Sequence, residues 1–208
     1  MNQDTLAADT LAAVEFDGLT RSSFILKGAL VAGSVYGAAA VGPFVKTALA
    51  QTGGGDVEIL NFALTLEYLE TAFYVKGQTL DLSSEVMSVA KELADHEQQH
   101  VDALKATIEK LGGTPAAKPA FTFPITDQAS FLKLAQTLED TGVSAYNGAA
   151  PGIESKEVLG AAGSIVQIEA RHAARIRLLN KVGPAPDAFD KALGKAAVLA
   201  AVKPLIKA

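Results

Sequence analysis

The chain of 208 residues has a formal net charge of −5, is 49% hydrophobic and 20% charged, and contains no cysteine, no tryptophan and three histidines. This composition is too apolar for a disordered chain and provides no basic surface for binding nucleic acid. It also excludes disulfides, thiol catalysis and cysteine-ligated metals, so any metal site must be built mainly from carboxylates with a few histidines.

The first 55 residues differ in composition from the rest of the chain. Residues 20–27 (TRSSFILK) resemble a twin-arginine export signal in which serine replaces the second arginine. Residues 28–45 carry no charge, and residues 48–50 (ALA) have the small-x-small form of a signal-peptidase site. We therefore predict that residues 1–55 are a leader and linker, and that the protein is exported to the periplasm or cell envelope.

Two alternatives for this leader remain open. A stretch of about 20 apolar residues can span a bilayer, so the segment can be a retained anchor that contacts the membrane. It can also be an ordered hydrophobic arm used in assembly. Mass spectrometry of the mature protein separates these possibilities, because a first residue near Gln51 supports export and an intact Met1 contradicts it.

From residue 56 onward, the hydrophobic period and the capping residues predict helices and give no alternating pattern typical of a β-strand. Four long helices are expected, followed by a shorter fifth. Their expected bounds are Asp56 to Gly77, Ser83 or Ser84 to Gly112, Asp127 to Gly148, Ser155 to Gly183, and about Asp187 to Val202.

The lengths of the connections predict the topology. Helices one and two, and helices three and four, are joined by short turns and should be antiparallel neighbours. The proline-rich link at residues 114–124 (TPAAKPAFTFP) is long enough to cross the bundle. These lengths predict an all-α fold, with an antiparallel four-helix bundle at residues 56–183 that has one long crossover. The C-terminal helix within residues 184–208 can cap this bundle or mediate assembly into a homo-oligomer.

An internal repeat supports two copies of one helical hairpin. A shift of 139 − 67 = 72 positions places residues 63–74 (ALTLEYLETAFY) on residues 135–146 (AQTLEDTGVSAY), with no gap through the following helix. The matched polar residues are Glu67 with Glu139, Tyr74 with Tyr146, Glu97 with Glu169, and His100 with His172.

The matched glutamates lie on apolar helix faces. Glu67, for example, shares its face with Leu60 and Leu64. Four buried carboxylates without partners would cost several kcal/mol per ion, but two divalent cations would neutralise them. Each matched histidine lies three positions after a glutamate, on the same face. The resulting set is that of a carboxylate-bridged dinuclear metal site: Glu67, Glu97, His100, Glu139, Glu169 and His172.

The motifs LEYLE, HEQQH, LED and IEARH resemble those of the ferritin-like di-iron and di-manganese carboxylate superfamily, which includes ferritins, bacterioferritins, rubrerythrins and manganese catalases. Together with the leader, they look closest to an exported ferritin-like group that includes plant desiccation-related proteins. The resemblance implies that Glu67 and Glu139 are each a terminal ligand of one metal ion. It implies that Glu97 and Glu169 bridge both ions, and that each histidine binds one.

Tyr74 and Tyr146 follow matched glutamates by seven positions. Their hydroxyls can reach a ligand carboxylate or serve in electron transfer, as a tyrosine at this offset often does in the resembling families. Simple packing in the core is the alternative, so we treat the two tyrosines as candidate catalytic residues.

Two further polar residues lie near the motifs. Glu70 is a candidate extra ligand, although its repeat mate is Gly142. His96 has Ile168 as its repeat mate and is expected at the edge of the bundle or facing a partner, with a contact to a ligand histidine as the alternative.

Hard carboxylate and imidazole ligands suit two divalent ions of iron or manganese. The leading hypothesis is redox chemistry on O2 or H2O2, either oxidation of metal or removal of peroxide, under oxidative or drying stress. The alternatives are a protein that binds or stores metal without turnover, and a structural stress-protective bundle of the cell envelope.

Overall fold

The computed structural model describes residues 55–207, and within that range it contains five α-helices and no β-strand. The chain is therefore all-helical there, as predicted. The helices are α1 (Asp56–Gly77), α2 (Ser84–Lys110), α3 (Gln128–Ala149), α4 (Lys156–Leu179) and α5 (Lys195–Val202), with single 3-10 turns at Ala150–Gly152 and Lys203–Leu205. The predicted leader lies outside the described residues except for Gly55, so export and its alternatives stay predictions.

The first two helices form an antiparallel hairpin, and α3 and α4 form another. Leu64, in the first half of α1, shares a core cluster with Ile108, near the end of α2. Phe73, near the end of α1, shares a second cluster with Val89, near the start of α2. Because the start of one helix packs with the end of the other, the two run in opposite directions.

The sequence predicts side-chain caps at Asp56, at Ser83 or Ser84, and at Asp127. Two of these three caps are present, and Ser155 also caps its helix. Ser83, Asp127 and Ser155 accept hydrogen bonds from backbone N–H groups in the first turns of α2, α3 and α4. The prediction for Asp56 is wrong, because the N-cap of α1 is Gly55. The Asp56 carboxylate instead accepts backbone hydrogen bonds from Glu154 (2.8 Å) and Ser155 (2.9 Å), next to the start of α4. The partial positive charge at a helix N-terminus attracts a carboxylate to this place.

The fifth helix is shorter than predicted, because tertiary contacts hold the preceding residues in an irregular conformation. The backbone N–H of Leu193 donates to the Ser144 carbonyl of α3 at 2.9 Å. Gly148 permits this approach, since a Cβ there would lie 2.0 Å from the Leu193 carbonyl oxygen. Val198 and Val202 of α5 are buried in the core, so α5 covers part of the bundle.

The long crossover between α2 and α3 is fastened by the C-terminal segment. Thr122 donates its backbone N–H to the Leu205 carbonyl, and Lys207 donates to the Ala120 carbonyl, both at 2.9 Å.

None of the helices within residues 55–207 is both long and apolar enough to cross a membrane.

Candidate metal centre

Four glutamates lie at mid-height of the four long helices, and all are 0% exposed: Glu67, Glu97, Glu139 and Glu169. Hydrophobic clusters flank them along the bundle. On α2, for example, Leu93 belongs to one cluster and Leu104 to the other, with a glutamate between them. Carboxylates in such a place require neutralisation, because burial removes their hydration.

Three of these glutamates and one histidine form a first group, which we call position A. Glu67, Glu97, His100 and Glu169 each offer one ligand atom, and these atoms lie within 4.8 Å of one another. His100 Nδ1 is 3.0 Å from Glu97 Oε2 and 3.1 Å from Glu169 Oε1. It is 3.3 Å from Glu67 Oε2. One cation at the centre of this group would contact three helices.

A second group, which we call position B, satisfies the same criterion and consists of Glu97, Glu139, Glu169 and His172. His172 Nδ1 is 2.9 Å from Glu97 Oε1 and 3.5 Å from Glu139 Oε2. Glu97 and Glu169 belong to both groups. The structure thus brings all six predicted residues together as two adjacent positions that share two carboxylates.

Several atoms of the cluster have no hydrogen-bond partner within residues 55–207, although they lie close together. They are Glu97 Oε1, Glu139 Oε2, both carboxylate oxygens of Glu169, and His172 Nδ1. Buried polar atoms of this kind are rare unless something satisfies them. Four carboxylates carry −4, which two divalent ions would balance. Oxygen and imidazole nitrogen donors also suit iron or manganese, so the residues fit such a pair.

Without a bound metal, both histidines are expected to carry a positive charge at neutral pH. Burial lowers the pKa of His100, but contacts with the Glu169 and Glu67 carboxylates outweigh it and raise the pKa to about 12. Burial also lowers the pKa of His172, but contacts with the Glu139 and Glu97 carboxylates outweigh burial and raise the pKa to about 10. Imidazolium groups therefore supply the positive charge that a metal would replace.

The glutamates divide into two classes. Burial acts to raise the pKa of Glu97, but the imidazoles of His100 and His172 outweigh it and lower the pKa to about 2. Burial raises the pKa of Glu67 to about 8. Burial, assisted by the charge of Glu97, raises the pKa of Glu169 well above its ordinary value. The two histidines thus favour the ionised form of Glu97, whereas burial opposes ionisation of Glu67 and Glu169.

The two repeated tyrosines donate hydrogen bonds across the bundle. Tyr74 of α1 donates to Glu139 Oε1 of α3, and Tyr146 of α3 donates to Glu67 Oε1 of α1. Each hydroxyl reaches a predicted ligand on the opposite hairpin rather than the glutamate seven positions earlier on its own helix. Burial raises the pKa of both tyrosines well above the ordinary value, so both remain donors.

His96 lies beside a predicted ligand histidine, which is the alternative that the sequence left open. We expected it at the edge of the bundle or facing a partner, but its Nδ1 lies 3.0 Å from Nε2 of His172 on α4. The two rings stack with their centroids 5.2 Å apart. The signal in the sequence was the position of His96 directly before Glu97. Its repeat mate, Ile168, is apolar, so the repeat did not point to His96.

Glu70 is buried beside the cluster. It is 2% exposed and lies outside both four-residue groups. A Cβ at Gly142 would be 3.1 Å from Glu70 Oε1 and 3.1 Å from Glu169 Oε2. The missing side chain at Gly142 therefore makes room for a fifth carboxylate, which breaks the symmetry of the repeat.

Comparisons with known proteins agree with this geometry. A family model described as a ferritin-like domain matches residues 55–181. Seven chains of known structure match, among them a conserved hypothetical protein from Mycobacterium tuberculosis. It is 20% identical with a TM-score of 0.57, and the match covers 64% of this chain and 96% of that chain. At this identity the likeness concerns the fold alone. No curated protein matches.

Proposed function

This chain belongs to the ferritin-like family, and we propose that it binds two divalent ions of iron or manganese and uses them to oxidise metal or to reduce O2 or H2O2. One observation carries the proposal: two four-residue groups share Glu97 and Glu169 and converge on buried atoms that have no hydrogen-bond partner within residues 55–207. Any such pair would be close enough for the shared carboxylates to contact both ions.

Two such ions would supply two electrons together, enough to reduce O2 and two protons to H2O2, or H2O2 and two protons to two water molecules. The chain's own residues would orient the ligands and exclude water. The Tyr74 and Tyr146 hydroxyls each hold one carboxylate oxygen of a terminal glutamate, which leaves the other oxygen directed into the cluster. The same hydroxyls hold protons at the edge of the site, which is the role we propose for them.

A second candidate function is metal binding or storage without turnover. The 0% exposure of all four glutamates favours it, because a closed cluster slows the entry of any small molecule. The two functions place the same residues around the same ions. They differ in whether the bound ions react with oxidant.

Anaerobic addition of Fe(II) to the metal-free protein, followed by air, tests both functions. We expect two equivalents of iron to bind and then to oxidise, with the absorbance of an oxygen-bridged ferric pair. Stoichiometric binding without oxidation supports storage, and the absence of binding contradicts both functions and leaves a structural role. Elemental analysis of protein from its natural source identifies the metal.

The same assay tests the tyrosines. Tyr74→Phe with Tyr146→Phe is expected to slow oxidation at least about 10-fold, because both terminal carboxylates lose a buried donor. Tyr68→Phe is the matched control, since Tyr68 is half-buried and its recorded contact is a lysine over its ring. Equal rates for the double variant and the control would limit Tyr74 and Tyr146 to packing.

The finer assignment, to an exported desiccation-related group acting in oxidative or drying stress, also remains a proposal. Its support is the leader sequence and the quoted motifs. The mature first residue, as described above, is the measurement that tests the export.

A further inference from the structure

We propose that positions A and B are unequal, with position B holding a tightly retained ion and position A an exchangeable one. This inference rests on the proposed function. It arises from two differences between the otherwise matched hairpins, in the support and in the exposure of the ligand histidine.

The first difference is the support of the ligand histidine. A His172 that binds metal through Nδ1 carries its proton on Nε2, and this N–H donates to Nδ1 of His96 at 3.0 Å. The bond fixes both the tautomer and the orientation of the ring. Partners of this kind typically change metal affinity 10–100-fold.

His100, the ligand histidine of position A, lacks such support. Its repeat-related neighbour is Ile168, which has no polar side-chain atom, and its recorded hydrogen bonds and ion pairs within residues 55–207 all involve Nδ1. Its side chain is also 12% exposed, against 5% for His172. The position A imidazole is therefore less constrained and closer to solvent.

Both differences strengthen the binding of a cation at position B. One orients the His172 imidazole, and the other, its lower exposure, shields this ligand from water. The expected result is ordered loading, in which B fills first and A fills and empties at lower occupancy. An exchangeable ion at A would allow metal to enter and leave while the centre stays assembled.

The test is a calorimetric titration of the full-length metal-free protein with Co(II) under nitrogen. We expect two binding steps that differ at least about 10-fold in affinity. His100→Ala should remove the weaker step and His172→Ala the tighter one. Two equivalent steps would overturn this inference and leave the dinuclear site intact, whereas no binding would overturn the proposed function itself.

Variants of His96 test the positioning role directly. His96→Leu should weaken only the tighter step, about 10-fold, because leucine accepts no hydrogen bond. His96→Asn should restore it, since the amide oxygen can accept from Nε2–H, and a merely structural role predicts no such rescue. Ile168→Leu is the matched control and should change neither step. Equal weakening of both steps by His96→Leu would overturn the inference.

His96→Ala provides an independent variant if His96→Leu does not fold, since alanine also accepts no hydrogen bond and is well tolerated in helices. It should weaken the tighter step about 10-fold and leave the weaker step unchanged, with melting curves confirming the fold. A selective loss at the weaker step would contradict the inference.

Discussion

Glu97→Gln is expected to destabilise the metal-free protein by about 3–5 kcal/mol, the usual cost of breaking a buried ion pair by removing one partner. In the metal-free cluster Glu97 is ionised, because the imidazoles of His100 and His172 outweigh burial and lower its pKa to about 2. Glutamine would leave both imidazolium groups without their shared partner. No other substitution in the cluster removes a contact common to both histidines.

Glu169→Gln is the matched control. Burial raises the pKa of Glu169 well above its ordinary value, so replacing this carboxyl by an amide should cost less than replacing the ionised Glu97. Glu169→Gln should therefore lose less stability than Glu97→Gln. Both variants remove a ligand shared by the two positions, so both should lose paired metal binding.

Urea denaturation in the presence of a chelator, followed by metal titration, compares the two variants. Equal destabilisation by Glu97→Gln and Glu169→Gln would show that the cluster is not organised around an ionised Glu97. Retention of two metal equivalents by either variant would contradict the sharing of these carboxylates.

Metal binding is expected to release at least two protons at pH 7, so the affinity should rise by at least about 100-fold per pH unit near pH 7. Carboxylate contacts raise the pKa of His100 to about 12 and that of His172 to about 10, so both imidazoles are protonated before metal binds. Each Nδ1 must lose its proton to become a ligand. Rising pH therefore favours the metal-bound form.

The stability of the metal-free protein should change with pH in the opposite direction. Because both histidine pKa values lie above the unfolded value of about 6.5, their contribution is fully present below that pH. It is lost as pH rises through about 10 for His172 and about 12 for His100. The same alkaline conditions that favour metal binding thus weaken the metal-free cluster.

Calorimetry in two buffers with different ionisation enthalpies counts the protons released. Release of fewer than two protons would mean that the imidazoles are already neutral in the metal-free protein. His100→Ala should lower the count by one, which makes it the internal control for the assignment.

Much of the site was predictable because helix faces are a local property. The 3.6-residue helical period places Glu67 and Glu97 on apolar stripes independently of the tertiary structure. The 72-residue repeat shows the same pattern a second time. Helix starts at Ser83 and Asp127 followed from side chains that bond to backbone within three residues. The leader and the identity of the metal still rest on sequence patterns alone.

The residues that the sequence misplaced act between helices. Asp56 satisfies N–H groups beside α4 instead of capping its own helix, and Leu193 bonds to α3 instead of extending α5. Two contacts that the sequence left open as alternatives are also made between helices: His96 meets His172, and Tyr74 meets Glu139.

The amino-acid sequence by itself therefore determined which side chains enter the bundle and at what height, since backbone geometry sets both over a few residues. Only the tertiary structure decided which of them touch, because the rotation and sliding of one helix against another depend on packing summed over the whole core. This packing of the helices brings the repeated residues together as two positions that share Glu97 and Glu169.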